Sequence, residues 1–305
     1  MAQFQRDAGL TARMILSFAV LAVLYLMFLG ALAYLGVGYI PIAIIGGLMV
    51  LAQWYFSDRI VMWSSGAKVV SREQQPRVYA IVEKLAAENG LPMPKVAVMN
   101  TQVPNAFATG KSPKSAVVAV TTGIMNTLDD DELEGVLAHE LTHVRNRDVL
   151  VITLASLFSI VAFTLMRFGL FSAMFGGYGG YGYGYGGGRG GNNGAGAMLI
   201  VIAVAAITWF VSFLIIRAIS RYREFAADRG SALMTGKPEK LANALLKISG
   251  KMKAVPQREL EQAANLNTFF IMPALSRSSL SNLFSTHPPV EERVRRLMEM
   301  QSLLK

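Results

Sequence analysis

An almost unbroken apolar run, residues 14–35, constrains this chain more than any other feature. It exceeds the roughly 20 residues that a helix needs to cross the hydrocarbon core of a bilayer. It is too long for the apolar part of a cleaved signal peptide, and a second apolar run, 38–56, follows at once. Pro41 and the Gly46-Gly47 pair lie in this second run, where transmembrane helices tolerate them. The short uncharged link predicts a tight helical hairpin in a membrane.

The composition supports a membrane protein with further apolar segments. Apolar residues make up 53% of the chain and charged residues 16%, against roughly a quarter charged in ordinary soluble domains. Two more apolar segments, 149–166 and 197–216, flank a glycine- and tyrosine-rich stretch, 176–191, which predicts a low-complexity loop. The chain has no cysteine, which excludes disulfides, thiolate metal ligands and a cysteine nucleophile.

The net charge of +9 comes from basic residues that are scattered or lie beside apolar segments, so nucleic-acid binding is not expected. The positive-inside rule assigns such residues to the cytosol. For a multi-pass protein, it predicts that both termini and region 58–148 are cytosolic. The flanking basic residues are Arg6, Arg13, Arg59, Lys68, Arg72, Arg145, Arg147, Arg217, Arg221 and Arg223.

Region 58–148 has the pattern of a small α+β domain. A helix is predicted to begin at Pro76 and stop at Gly90. Three β-like runs follow, and turn residues between them indicate a small antiparallel sheet. A further helix begins near Asp129, capped with Glu132, and is expected to continue into segment 149–166. The β-like runs are Lys95–Met99, Asn105–Thr109 and Ser115–Thr121.

The sequence His139-Glu140-Leu141-Thr142-His143 lies on that helix and carries the chemistry. Residues four apart share a helix face, so two imidazoles can bind one zinc ion. Glu140 projects beside the metal and can accept a proton from water that the zinc ion acidifies. The chain has three histidines, and two of them fall at this spacing around a glutamate.

A catalytic zinc site needs a third protein ligand. Asn146 and Val149 exclude the metzincin pattern, which requires glycine and histidine there. A glutamate from a second helix is the other common solution, and Glu224 offers one, with Asp228 one turn further to receive a hydrogen bond from a ligand histidine. His143 precedes the third apolar segment and Glu224 follows the fourth, each by a distance on the order of 10 Å along a helix. An antiparallel hairpin of those segments would bring them together.

Four ordered motifs make the whole chain resemble the HtpX family of bacterial inner-membrane zinc endopeptidases, which are relatives of the CAAX prenyl proteases. The resemblance implies Glu224 as the third zinc ligand. It also implies proteolysis of misfolded or damaged membrane proteins at the cytosolic face under envelope stress. Arg147 departs from the family pattern, which would have glycine. The motifs are Asn105–Gly110, the histidine motif, Arg223–Asp228 and Thr286–Pro289.

Two weaker sites complete the predicted set. Asn105, Ala106 and Phe107 lie in a β-like run that is either an ordinary strand or an exposed edge that pairs with an extended substrate. His287 is either a structural loop residue or a hydrogen-bond donor to the developing oxyanion. The family resemblance favours the functional role for the strand and leaves the two roles of His287 balanced.

Two competing functions have arguments against them. Zinc chemistry inside the bilayer would bury the many charges of the motif helix at high cost. A scaffold with a structural zinc ion would have no need of Glu140. We therefore expect an α+β membrane protein, with about four transmembrane or membrane-embedded helices and a mostly helical gluzincin-like zinc protease domain. Its parts are a membrane hairpin (1–57), a catalytic part (58–148), a second hairpin (149–219) and a second catalytic part (220–305).

Overall fold

A computed structural model describes residues 8–34, 39–153, scattered positions between 155 and 167, 193–256 and 287–304. The chain divides into two compact units. The first unit comprises Met1–Thr11, Trp54–Val151 and Ser220–Lys305. The second unit comprises Ala12–Gln53 and Ile152–Ile219.

The second unit contains the apolar helical segments. Helix α1 is Ala8–Tyr34 and α2 is Tyr39–Ser65, although the last part of α2 belongs to the first unit. Within this unit Phe28 and Leu32 pack with Ala205, and the Tyr25 hydroxyl hydrogen-bonds the Ser212 hydroxyl at 3.0 Å.

Two helical stretches of the described residues, Thr11–Tyr34 and Leu199–Thr235, each contain an apolar window long enough to be a candidate membrane span. The predicted segment 38–56 is helical, as part of α2. That segment 38–56 crosses the membrane stays a prediction. Segment 149–166 is only partly within the described residues, and the glycine- and tyrosine-rich stretch 176–191 lies outside them.

The first unit is built on a four-stranded sheet. The three predicted strands are confirmed as β2 (Lys95–Met99), β3 (Ala106–Thr109) and β4 (Val117–Thr121), and β1 (Lys68–Val69) adds a fourth. The order is β1-β2-β4-β3. Strands β1 and β2 pair antiparallel, as do β3 and β4, but β2 and β4 run parallel.

The prediction of an antiparallel sheet is therefore wrong: the sheet is mixed. All five residues of β4 are buried, whereas β2 begins at an exposed residue and β3 has four residues. A strand buried on both faces is most stable in the interior of a sheet, where both of its edges find partners. Strand β4 lies between β2 and β3, which do not pair with each other, and it runs antiparallel to β3 and parallel to β2.

Helices share one hydrophobic core with this sheet in the first unit. They are α3 (Pro76–Glu88), α4 (Thr122–Thr127), α5 (Asp130–Asn146), α7 (Pro238–Met252) and α8 (Val290–Leu304). The predicted start of α3 at Pro76 and its stop at Gly90, with φ of +64°, are confirmed. So is the capping box of Asp129 and Glu132 on α5.

Helix α5 does not continue straight into the third apolar segment, which corrects a prediction. It ends at Asn146, and Arg147 adopts the left-handed conformation with φ of 55° before helical structure resumes at 148. Arg147 is the non-glycine residue with positive φ in the described part of the chain. By contrast, α6 (Asn193–Thr235) runs unbroken from the fourth apolar segment to Gly236, as predicted.

Candidate metal centre

Helix α5 carries the three side chains of the predicted motif. The side chains of His139 and Glu140 are buried, and His143 is partly buried. The two imidazole rings are perpendicular, with centroids 4.7 Å apart, and their Nε2 atoms approach to 3.1 Å. Both rings therefore direct the same nitrogen toward one point, as the four-residue spacing predicted.

The C-terminal part of α6 packs closely on α5. A Cβ atom at Gly230 would lie 2.3 Å from the Thr142 Cγ2 atom, so the contact leaves no room for a side chain there. One residue later, the Ser231 hydroxyl donates a hydrogen bond of 2.7 Å to the Gly135 carbonyl. This close packing brings Glu224, further back on α6, to the histidines.

The three predicted ligands converge. One Glu224 oxygen lies 3.6 Å from His139 Nε2, and the other lies 3.5 Å from His143 Nε2. All three ligand atoms lie within 4.8 Å of one another. In a tetrahedral site with bonds of about 2.0–2.2 Å, ligand atoms are roughly 3.3 Å apart. Two nitrogens and a carboxylate oxygen at these separations fit one divalent metal ion.

The Nδ1 side of His139 faces residues of two other helices. We call the set His139, Asp228 and Arg293 the His139 arm. The Asp228 Oδ1 atom lies 3.0 Å from His139 Nδ1, as expected for the predicted orienting carboxylate. Arg293 of α8 donates to both Asp228 oxygens, at 2.9 and 2.6 Å. Burial opposes ionisation of Asp228. The charge of Arg293 outweighs this effect of burial and holds the pKa of Asp228 below its ordinary value. Asp228 is therefore an ionised acceptor in a buried ion pair.

His143 also has a carboxylate partner, which in turn pairs with a guanidinium. We call the set His143, Asp148 and Arg223 the His143 arm. The His143 Nδ1 atom lies 2.5 Å from the Asp148 Oδ2 atom. The other Asp148 oxygen lies 3.1 Å from the Arg223 Nε atom. Burial again opposes ionisation of the aspartate, and the charge of Arg223 keeps the pKa of Asp148 below its ordinary value. Each histidine thus has one carboxylate and one guanidinium behind it.

The pKa values of the central residues follow from burial and these neighbours. Burial alone would lower the pKa of His139, but hydrogen bonds to Asp228 and Glu224 raise it to about 9. Glu224 is buried, yet the charge of His287 and the contacts with His139 hold its pKa well below the usual range. Burial raises the pKa of Glu140 against the opposing effect of the histidines.

His287 lies immediately before α8 and is buried beside the carboxylate ligand. Its Nδ1 atom is 3.1 Å from the Glu224 Oε2 atom. The suggested role of His287 as a donor to an oxyanion stays a prediction.

The predicted substrate-binding residues lie at the edge of the sheet. Strand β3 is an outer strand, and Ala106 and Phe107 are buried and paired in register with Val120 and Ala119 of β4. The backbone of Ala108 hydrogen-bonds Glu140, so this edge lies next to the predicted base. The predicted substrate-binding role of Asn105, Ala106 and Phe107 stays a prediction.

Three site residues were not predicted: Asp148, Arg223 and Arg293. Arg293 had a signal, because it falls on the apolar stripe of α8 with Val290 and Leu297, where a charge must be buried with a partner. Asp148 had none, because a residue five positions after His143 lies on another face of a straight helix.

Comparisons with known proteins agree on one family. The sequence profile of peptidase family M48 matches residues 72–301. A protease HtpX homolog from Moorella thermoacetica is 50% identical over 300 residues, which cover 98% of this chain and 97% of that protein. Protease HtpX homolog 2 from Methanosarcina mazei is 48% identical over 299 residues, 98% of both chains.

The fold also resembles a solved structure. The crystal structure of S. mikatae Ste24p matches with a TM-score of 0.55 at 17% identity. The match covers 93% of this chain, which spans 64% of the length of that one. At this identity the likeness concerns the fold. Because the family profile covers most of the chain and relatives are about half identical over nearly all of it, the chain belongs to peptidase family M48 and is a membrane-associated metalloendopeptidase of the HtpX type.

Proposed function

We propose that His139, His143 and Glu224 bind one zinc ion and that Glu140 is the general base of peptide hydrolysis. The observation that carries this proposal is the convergence of the two Nε2 atoms and the Glu224 carboxylate within 4.8 Å. Nitrogen and carboxylate ligands suit zinc, and three protein ligands leave a coordination position open, as in catalytic sites. A zinc ion held there would supply Lewis acidity that activates water and polarises the scissile carbonyl.

The roles of the side chains follow from their surroundings. Glu140 accepts a proton from the attacking water and passes it to the leaving amine. Its burial raises its pKa toward neutrality, which suits a group that must both take and release a proton. His287, beside Glu224, donates a hydrogen bond to the oxyanion as charge develops on the carbonyl oxygen.

Two substitutions separate metal binding from catalysis. Glu140→Gln keeps the shape of the side chain but cannot transfer a proton, so zinc content should be retained while cleavage of unfolded casein is lost. Glu224→Ala should lower both zinc content and cleavage. Casein cleavage by Glu140→Gln at the parent rate, or full zinc retention in Glu224→Ala, would refute the assignment.

We further propose that the substrates are unfolded or loop segments of misfolded or damaged membrane proteins. Among the described strands β3 is an outer strand beside Glu140, and we assign substrate binding to Ala106 and Phe107 of β3 and to Asn105 just before it, at an edge that would pair with an extended peptide. Backbone pairing gives affinity with little side-chain selectivity. Attachment to the bilayer raises the local concentration of membrane-protein substrates. Such an activity suits protein quality control under envelope stress.

The proposed setting is the bacterial inner membrane, with both termini and the catalytic residues on the cytosolic side. The asymmetry of the basic residues supports this orientation. The proposed parts are hairpins 1–57 and 149–219 and catalytic parts 58–148 and 220–305. Reporter fusions at Lys84 and at the C-terminus should read cytosolic, and a fusion at Gly187 periplasmic. A periplasmic signal at Lys84 would reverse the orientation.

The substrate proposal has its own test. The enzyme is reconstituted with a membrane protein that carries flexible loops on both sides, and the cuts are mapped by mass spectrometry. We expect cuts in the cytosolic loops with loose sequence preference. Cuts that fall mainly in periplasmic loops or within apolar spans would contradict the proposal.

A further inference from the structure

The break at the end of α5 has a chemical consequence. On a continuous helix Asp148 would be rotated by roughly 140° from His143, because each residue advances by about 100°. The left-handed conformation of Arg147 instead turns the chain so that the Asp148 carboxylate lies 2.5 Å from His143 Nδ1. The turn therefore delivers a carboxylate to the ring nitrogen that faces away from the proposed metal.

The aspartate is in turn held by the helix that carries the third proposed ligand. Asp148 is buried, and a buried carboxylate needs a charged partner to remain ionised. Arg223 supplies that partner through its Nε atom at 3.1 Å, and it is adjacent in sequence to Glu224 on α6. Two adjacent residues of α6 thus provide the proposed ligand, Glu224, and the cation that pairs with Asp148, Arg223.

We propose that Asp148 and Arg223 are positioning residues for His143. This inference rests on the proposed zinc site. Asp148 accepts the Nδ1 proton of neutral His143, which selects the tautomer with the lone pair on Nε2. Arg223 acts through Asp148 and ties the orientation of His143, on α5, to that of Glu224, on α6. The two helices then present their ligands as one preorganised set.

The first measurement is zinc affinity, by competition with a chromophoric chelator, on the full chain in detergent. Asp148→Ala should weaken zinc binding by about 10- to 100-fold, the usual effect of losing a carboxylate behind a ligand histidine. Asp148→Asn should recover part of this loss, because its amide oxygen still accepts the Nδ1 proton. The matched control is Asp130→Asn, an exposed aspartate on the same helix, which should bind zinc like the parent.

The spectrum of cobalt bound in place of zinc gives a second readout, because it reports the ligand field. Asp148→Ala should change this spectrum, whereas a merely structural role would leave the spectrum of the folded protein unaltered. A double-mutant cycle tests whether Arg223 acts on His143 through Asp148. If it does, the double variant Asp148→Ala with Arg223→Gln should bind zinc no more weakly than Asp148→Ala alone. Arg295→Gln, at an exposed ion pair of α8, is the control for Arg223→Gln.

The turn offers a variant that leaves the buried residues intact. Arg147→Gly keeps the left-handed conformation and should retain the zinc affinity of the parent. Arg147→Val disfavours it, since β-branched residues rarely adopt positive φ, and should weaken zinc binding toward the level of Asp148→Ala. Equal affinity of the Gly and Val variants would overturn the role of the turn.

The outcomes distinguish this inference from the proposed function. If His143→Ala and Glu224→Ala lose zinc but Asp148→Ala binds it within twofold of the parent, the positioning role is wrong and the zinc site stands. An unchanged cobalt spectrum in Asp148→Ala would also overturn the positioning role of Asp148. Additive losses of zinc affinity in the double variant would overturn the proposal that Arg223 acts through Asp148. If His143→Ala and Glu224→Ala retain zinc, the proposed site itself is wrong.

Discussion

The two histidines of the motif are held by chemically similar arms that are built in different ways. The His139 arm joins residues 139, 228 and 293 from three helices, and the exposed fractions of its side chains are at most 5%. The His143 arm takes its carboxylate from five positions away through a local turn, and its histidine is 15% exposed. The same donor and acceptor types therefore serve one deeply buried, long-range arm and one shallower, largely local arm.

Because the two arms differ in burial, their residues should contribute differently to the stability of the fold and to the orientation of the histidines. In the His139 arm, Arg293 and Asp228 compensate each other in the core, so removal of either leaves an uncompensated buried charge. In the His143 arm, water near the partly exposed imidazole can replace part of a lost contact. We therefore expect damage to the first arm to lower both stability and metal affinity, and damage to the second to act mainly on affinity.

The largest effect is expected for Arg293→Met. Methionine fills much of the space but removes the guanidinium partner of the buried, charged Asp228, which should lower the free energy of unfolding by about 3–5 kcal/mol. Thermal unfolding in detergent measures this change. The control is Arg295→Met at an exposed ion pair of the same helix, which should change stability by less than about 0.5 kcal/mol. Similar shifts for the two variants would show that the buried ion pair of the His139 arm contributes no more to stability than an exposed one.

Next in size is the contrast between Asp228→Asn and Asp148→Asn. Asp228→Asn removes the charge opposite Arg293 and should weaken zinc binding by about 10- to 100-fold. It should also lower the unfolding temperature, because Arg293 then has a neutral partner in the core. Asp148→Asn should lower the unfolding temperature less. The comparison of the arms fails if Asp148→Asn is the more destabilised of the two.

The third effect is a pH dependence specific to the His139 arm. The pKa of His139 in the metal-free protein is raised from 6.5 to about 9, so the stability it contributes is present below pH 6.5 and is lost as the pH rises through about 9. Zinc must displace this proton, so apparent zinc affinity should rise about tenfold per pH unit within that window and level off above it.

The same measurement on variants separates the arms. Asp228→Asn removes a contact that raises the pKa of His139, so the plateau of zinc affinity should begin at a lower pH. Asp148→Asn should leave the plateau in place, because Asp148 contacts the other histidine. A plateau that moves in Asp148→Asn and stays in Asp228→Asn would reverse this assignment.

The smallest effect is expected at the turn of the His143 arm. Arg147→Gly relieves a left-handed conformation that costs a non-glycine residue about 1–2 kcal/mol, but it adds the backbone entropy of glycine, about 0.5–1 kcal/mol. The unfolding free energy should therefore rise by roughly 0.5–1 kcal/mol. Asn146→Gly, one residue earlier in helical conformation, should instead destabilise the protein.

Features that depend on local sequence were predicted well. The cap of α5, the start of α3 and the three strands follow from local signals: a capping box, a proline in the first helical turn, and β-like runs between turn residues. The convergence of His139 and His143 follows from helix periodicity alone. Glu224 and Asp228 required more than local sequence: their place after the fourth apolar segment suggested that they meet the histidines, and the family resemblance then implied Glu224 as the third ligand. The antiparallel sheet was wrong because β4 inserts between β2 and β3, and which strands become neighbours depends on long-range packing that local sequence does not specify.

By itself, the sequence determined the apolar helices, the metal-binding motif on α5 and the class of chemistry. Each of these is set within a few turns of helix. Only the tertiary structure decided how the histidines are held: the close contact at Gly230 brings Glu224 to them, and α8 brings Arg293 to Asp228. It also decided that one left-handed residue, Arg147, turns Asp148 back to His143. Buried charges must find partners wherever packing places them, and sequence distance does not limit that choice.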